Sequence, residues 1–348
     1  MSNTLGKNIR FTLFGESHNE VIGGVLDGIP GGIPIDMSFI NEMLERRKPD
    51  PEIGTARKEN DEVMFSSGVL NGFSTGDSIC FMILNEDVSD TETIYEFTPR
   101  PGHADYTQHL RSGGFEDSRG GGHLSGRLTA PIVVAGAIVL QALEGFGINV
   151  RSRIFSIAGI QDSTGELTRQ AIIAAKNSGD SVGGIIETTI EGFVGGEGAP
   201  YFDSIESVIS SAVFSIPGVK GIEFGLGFAM ADKFGSEVND EFYLDDEGHL
   251  KTKTNNNGGI NGGIANGMPV TFKCVIKPTP SIAKEQNTVD MVKKAPTTIK
   301  IEGRNDPCIV PRACVVIEAV TALAVADIMF THIGEKCIRI FNTPEKEG

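Results

Sequence analysis

Apolar residues recur along this chain with two periods, and the places where one gives way to the other predict its elements. Between Met37 and Arg47, the residues Phe39, Ile40, Met43 and Leu44 fall on one stripe at helical spacing. Asp36 or Ser38 is placed to cap that helix, and its last turn presents Arg46, Arg47 and Lys48. Further helices are predicted over residues 129–143, stopped by Gly145 and Gly147, and over 168–177, 204–213 and 313–329. The first and last of these four are apolar almost all round, which puts them at the centre of the molecule. Strand-like runs lie at 21–26, 62–70, 78–84, 184–190, 222–230 and 270–277. They outnumber the helices and do not alternate regularly with them, so the pattern predicts an α+β fold with helices packed on antiparallel or mixed sheets rather than a doubly wound nucleotide-binding fold. No linker rich in proline, serine or charge divides residues 1–348, and the length leaves one large domain or two open.

Composition narrows the partners. A net charge of −16 excludes a general nucleic-acid or membrane-surface binder, because such a partner requires a basic footprint; an anionic ligand must find a local basic pocket instead. The five cysteines are an odd number without a CxxC pair, so neither a disulfide framework nor a metal site is indicated, and the chain reads as intracellular. The first residues lack the apolar core of a secretory signal. The uncharged and largely apolar stretch 128–143 falls short of the roughly 20 apolar residues of a membrane span and is read as a buried helix.

Two of the six histidines sit in unusual company. His18 ends Phe14-Gly15-Glu16-Ser17-His18, and His103 lies in Thr98-Pro99-Arg100-Pro101-Gly102-His103-Ala104-Asp105, whose prolines stiffen the backbone. Imidazoles beside arginines suit general acid–base work on an anion, whereas His109, His249 and His332 read as ordinary surface or structural groups. The run Gly120-Gly121-Gly122 before a buried helix is either a flexible turn or a cradle of N–H groups for a phosphate. Arginines at 46, 47, 57, 100, 119, 127 and 304 are either surface groups or bidentate grips on a substrate with several anionic groups. Lys277-Pro278-Thr279-Pro280-Ser281 ends a strand with a cation and hydroxyls fit for phosphate. In Gly303-Arg304-Asn305-Asp306-Pro307-Cys308, Asp306 is a helix cap or a base.

Taken in order, these segments resemble the chorismate synthase family from Gly6 to about Ile328. The resemblance rests on Gly15-Glu16-Ser17-His18 with Asp27-Gly28-Ile29-Pro30, on Arg100-Pro101-Gly102-His103-Ala104-Asp105, on Arg119-Gly120-Gly121-Gly122 with Ser125-Gly126-Arg127, and on the segment from Gly303 to Cys308. His123, Leu124 and Leu128 depart from the third signature, and Asn305 stands where the family often has histidine. The resemblance implies one layered domain, central helices between antiparallel sheets, a cytoplasmic homotetramer, and anti 1,4-elimination of phosphate from 5-enolpyruvylshikimate 3-phosphate with reduced FMN. It implies that His18 protonates the departing phosphate, His103 holds or protonates the anionic flavin, and Asp306 assists removal of the C6 proton. Ser17, Arg47, Arg57, Arg100, Ser125, Arg127 and Arg304 then bind substrate. The flavin contacts fall to His123, Leu124, Ser125, Glu237, Val238, Gly262, Lys277, Pro278, Thr279, Pro280, Ser281 and Arg304. An external flavin reductase is expected to supply the electrons, with NADPH as an indirect source. A phosphate- or flavin-binding relative without catalysis, and an enzyme that reduces its own flavin, are the competing readings.

Overall fold

The computed structural model describes residues 3–50, 54, 60–86, 97–117, 121–301 and 305–342, with 332–342 described by backbone alone. Strands β1 (Thr4–Leu5), β2 (Arg10–Gly15), β3 (Val21–Asp27), β4 (Val63–Ser67) and β5 (Ile79–Leu84) form one antiparallel sheet in the order β1-β2-β3-β5-β4. Strands β6 (Asn149–Ile157), β7 (Gly184–Glu191), β8 (Val219–Phe224) and β9 (Val270–Ile276) form a second, in the order β8-β9-β7-β6. Between the sheets lie α1 (Met37–Arg47), α3 (Thr129–Glu144), α5 (Ile205–Phe214) and the long α6 (Val310–Asn342), while α2 (Asp105–Ser112) and α4 (Glu166–Asn177) are peripheral.

Each sheet buries one face, because strand side chains alternate. Phe11, Ile22, Ile79, Phe81 and Ile83 point inward from the first sheet, and Ile186, Ile190, Val270, Phe272 and Ile276 from the second. One cluster of buried apolar side chains runs from Ile9 to Met329 through the helices between. The central contact is α3 against α6. At Gly136 an added Cβ would sit 2.3 Å from the Cβ of Ala319, so glycine is what allows the two backbones to approach. These residues each lie roughly two turns into their helices. Arg47 at the end of α1 reaches Arg127, just before α3, through Asp61, and its carbonyl accepts from Arg312 in the first turn of α6, so the N-termini of α3 and α6 open at the same end of the sandwich.

Several boundaries differ from the sequence pattern. The apolar run at 222–230 leaves the sheet after Phe224: Gly225 takes φ +57°, its N–H bonds to Thr271, and the chain continues as a 3₁₀ helix, Gly227–Asp232. The run at 62–70 breaks at Gly68 into β4 and the short strand Val69–Leu70. Helix α6 starts earlier and ends later than 313–329; Val310–Thr331 alone is 22 residues, long and apolar enough to cross a bilayer. Most of that stretch is instead buried between the sheets. Strand β6 and the hairpin of β10 (Glu285–Asp290) with β11 (Ala295–Lys300) were missed because charged and hydroxyl side chains on their outer faces hide the alternation.

Candidate functional site

Chemistry gathers where α3 and α6 begin. The turn between β2 and β3 carries Ser17 and His18. Ser17 is buried; its N–H bonds to Gly122 at 3.1 Å, and its Oγ lies 3.3 Å from His18 Nδ1. A Cβ on Gly121 would sit 3.2 Å from Ser125 Cβ and 3.4 Å from Ser17 Oγ, so Gly121 and both serines lie against one another, while Arg119 and Gly120 lie outside the described residues. His123 is half-buried and donates from Nδ1 to Gly15 at 2.8 Å, which ties this run to the end of β2, while Leu124 faces outward. The α3 N-terminus thus opens beside Ser17 and His18, with its positive end toward any anion held there.

Behind this turn lies a buried set of charges. Asp61 Oδ2 accepts from Arg47 Nη2 at 2.8 Å, and its Oδ1 accepts from Arg127 Nη1. Arg127 also donates to Asn85 Oδ1 at 3.0 Å and to the Leu84 carbonyl at 3.2 Å, and Asn85 in turn donates to the Glu16 and Asn19 carbonyls. Asn85 therefore joins Arg127 to the turn of His18. Burial lowers the Arg47 pKa to about 10, helped by Arg312 and Arg127 and opposed by Asp61, so the group remains charged at neutrality. Burial works to raise Asp61, but the two arginines overcome it and hold its carboxyl below the ordinary range. Arg312 continues the series, donating from Nε to the Arg47 carbonyl at 3.0 Å and from Nη1 to Asp306 Oδ2 at 2.6 Å.

Asp306 does not cap α6; it is a buried carboxyl with one oxygen on Arg312. Its Oδ1 finds no partner among the described residues, and burial raises its pKa against the pull of Arg312. The adjacent Cys308 thiol is pushed up by burial to about 11, and Cys274 and Cys314 to about 12, which makes all three poor nucleophiles at neutral pH.

The third element is the proline-stiffened loop. His103 Nδ1 faces the Pro101 carbonyl at 3.2 Å, an acceptor only, so Nδ1 carries the proton and Nε2 accepts from Ser281 Oγ at 2.7 Å. Burial, then Arg100, lowers its pKa and keeps the ring neutral. Lys277 Nζ donates to the Gly102 carbonyl at 2.7 Å, packing the segment after β9 against this loop. Pro280 lies against Gly102, and the Thr279 hydroxyl is buried without a partner among the described residues. Arg100 is engaged by Asp105, bonded through Nε at 2.8 Å and Nη2 at 2.7 Å. A cleft lined by Glu16, Arg100, His103, Gln108, Gly121 and His123 joins this loop to the turn of His18.

The structure thus brings together Ser17, His18, Arg47, Arg100, His103, His123, Leu124, Ser125, Arg127, Asp306 and the segment from Lys277 to Ser281. It places Gly262, Glu237 and Val238 elsewhere. Gly263 accepts from the Ile205 N–H at the start of α5, whereas Lys277 donates to Gly218 beyond its end, so α5 separates Gly262 from Lys277 by about 15 Å. Val238 bonds to Asn256, which accepts from Leu226 beyond the far end of β8. Arg57 and Arg304 lie outside the described residues. Sequence reading missed Asp61, Asn85 and Arg312: nothing in a polar run such as Asn60-Asp61-Glu62 signals that one carboxylate is buried among arginines. Of the histidines set aside, His109 pairs with Glu116 at 2.7 Å and His249 is exposed near Asp245.

Comparison with known proteins meets this geometry from another side. The chorismate synthase family model matches residues 9–330. A chorismate synthase of Chitinophaga pinensis is 46% identical over 97% of this chain and 99% of its own length, and one of Pyrococcus abyssi is 43% identical over 95% and 98%. A crystal structure of chorismate synthase superposes with a TM-score of 0.74 at 26% identity, covering 97% of this chain and 98% of the other. Match and fold agree over nearly the whole length, and the chain belongs to the chorismate synthase family, carbon–oxygen lyases acting on phosphates in the shikimate route to aromatic amino acids.

Proposed function

We propose that the chain acts as one domain to convert 5-enolpyruvylshikimate 3-phosphate to chorismate by anti 1,4-elimination. The C3–O bond to phosphate and the C6–H bond break, a second ring double bond forms, and chorismate and inorganic phosphate leave with no net redox change. The observation that carries this reading is the convergence of His18, His103, Asp306, Arg47 and Arg127 where two buried helices begin.

The residues fit a phosphate-bearing flavin. The buried Thr279 hydroxyl lacks a partner among the described residues, and Lys277, Ser281 and His103 stand beside it in one packed segment. When bound there, reduced FMN would supply electron density for the elimination, held by Lys277, Thr279, Ser281 and His103. The chain's own groups do the rest. His18 donates a proton to the departing phosphate, beside Ser17 and Ser125. Arg47 and Arg127 hold the substrate's anionic groups, and Arg57, Arg100 and Arg304 complete the set. Neutral His103 takes up a proton at Nε2 when an anionic ring lies against it, because a nearby negative charge raises an imidazole's pKa. Asp306 accepts from C6 through Oδ1, its other oxygen being held by Arg312. Glu237, Val238 and Gly262 reach the flavin from a second copy of the chain, consistent with a homotetramer. Electrons come from an external flavin reductase, with NADPH as indirect source, in the cytoplasm.

The test is anaerobic turnover. Purified protein, enolpyruvylshikimate phosphate and dithionite-reduced FMN should give the ultraviolet absorbance of chorismate, and none with oxidised FMN. His18→Ala and His103→Ala should each lower turnover at least ~100-fold without unfolding the protein. Saturable FMN binding without product would point to a non-catalytic relative.

A further inference from the structure

Asp61 is 3% exposed and stands between two arginines from different parts of the fold: Arg47 at the end of α1 and Arg127 just before α3. Each carboxylate oxygen serves one guanidinium, so the separation and tilt of the two forks are set by a single rigid group. The backbone at Asp61 is left-handed, with φ +56°, a conformation that carries strain in a non-glycine residue. Buried ion pairs are weak stabilisers, since desolvation offsets most of their attraction. A strained backbone holding a desolvated carboxylate is therefore poorly explained by stability. It is well explained if the direction of the carboxylate matters. Arg47 Nε is buried and has no hydrogen-bond partner among the described residues, so a donor is left for an incoming anion at one of the two forks.

We propose that Asp61 is a positioning residue that fixes the spacing of the Arg47 and Arg127 guanidinium groups for the anionic groups of the substrate. The inference rests on the reading above and adds to it a residue that itself touches neither substrate nor flavin. It makes substrate affinity sensitive to the reach of the side chain at position 61 as well as to its charge. Asp61→Asn keeps shape and tolerance of positive φ but loses the charge. Asp61→Glu keeps the charge but moves it outward by one methylene.

Full-length wild type, D61N and D61E are titrated calorimetrically with enolpyruvylshikimate phosphate and, separately, with FMN, after thermal unfolding has shown which are folded. Substrate affinity is expected to fall at least ~10-fold in both variants, with FMN affinity within about twofold of wild type and the loss in turnover assays expressed mainly in KM. D61E decides the question if D61N fails to fold. Substrate affinity within threefold of wild type in D61E, or equal loss of substrate and FMN binding, overturns the proposal in favour of a purely structural carboxylate. Wild type that binds no enolpyruvylshikimate phosphate overturns the functional reading itself, together with this inference.

Discussion

Two buried carboxylates, one just ahead of α6 and one in its middle, have opposite surroundings. Asp327 is 6% exposed and takes the backbone N–H groups of Lys7, Asn8 and Ile9, with Oδ1 accepting from all three. Asp306 is 7% exposed, holds one side-chain cation through Oδ2, and keeps Oδ1 without a partner among the described residues. A carboxylate saturated by its own backbone fastens the N-terminal segment to the core. One left half-satisfied carries a desolvation cost that no contact within the described chain recovers, and such costs persist where a ligand completes the set. Burial does not tell these two carboxylates apart; the completeness of their hydrogen bonding does.

Substitutions can break that contrast. Asp327→Ala should destabilise the fold by roughly 3 kcal/mol, because three N–H groups lose their acceptor together, while the folded protein keeps its turnover; urea unfolding alongside the chorismate assay checks both. Asp306→Asn should do the reverse, lowering kcat about 100-fold with stability changed by less than about 1 kcal/mol. The folded pKa of Asp306 is raised by burial, so the stabilising effect of its protonation is full below the ordinary value of 3.8 and is lost as pH rises through the folded value. Asn85→Ala cuts the tie between Arg127 and the turn of His18 and should reduce kcat about tenfold, as misplacement of a catalytic group does. The smallest effect concerns His103. Its folded pKa is depressed by burial and by Arg100, so its contribution to stability is full above 6.5 and is lost as pH falls through the folded value. Unfolding midpoints at pH 7 and pH 5.5 should therefore drop less for His103→Gln than for wild type.

The candidate site was only partly legible in the sequence. Its glycine, histidine and proline motifs stood out because those residues are chosen for special backbone conformations or for proton transfer near neutrality. Asp61, Asn85 and Arg312 did not, since an aspartate, asparagine or arginine is common on surfaces and becomes functional only through the partner it meets. Arg100 was legible as a cation but not as one already engaged by Asp105.

By itself, the sequence determined the helical stripe of α1, the apolar character of α3 and α6, the strands of both sheets that alternate cleanly, and the family resemblance carried by four ordered motifs; it narrowed the α1 cap to Asp36 or Ser38, of which the structure uses Asp36. Local periodicity and turn chemistry suffice for these, because each depends on neighbours within a few residues. Only the tertiary structure decided that α3 and α6 meet at Gly136 and that both N-termini open at the end of the sandwich that carries His18 and Asp306. It also decided that Gly262, Glu237 and Val238 lie away from Lys277, and that one carboxylate at Asp61 is shared by arginines 47 and 127. These are distances between residues far apart in the chain. They are set by how whole layers pack, and no local pattern encodes them.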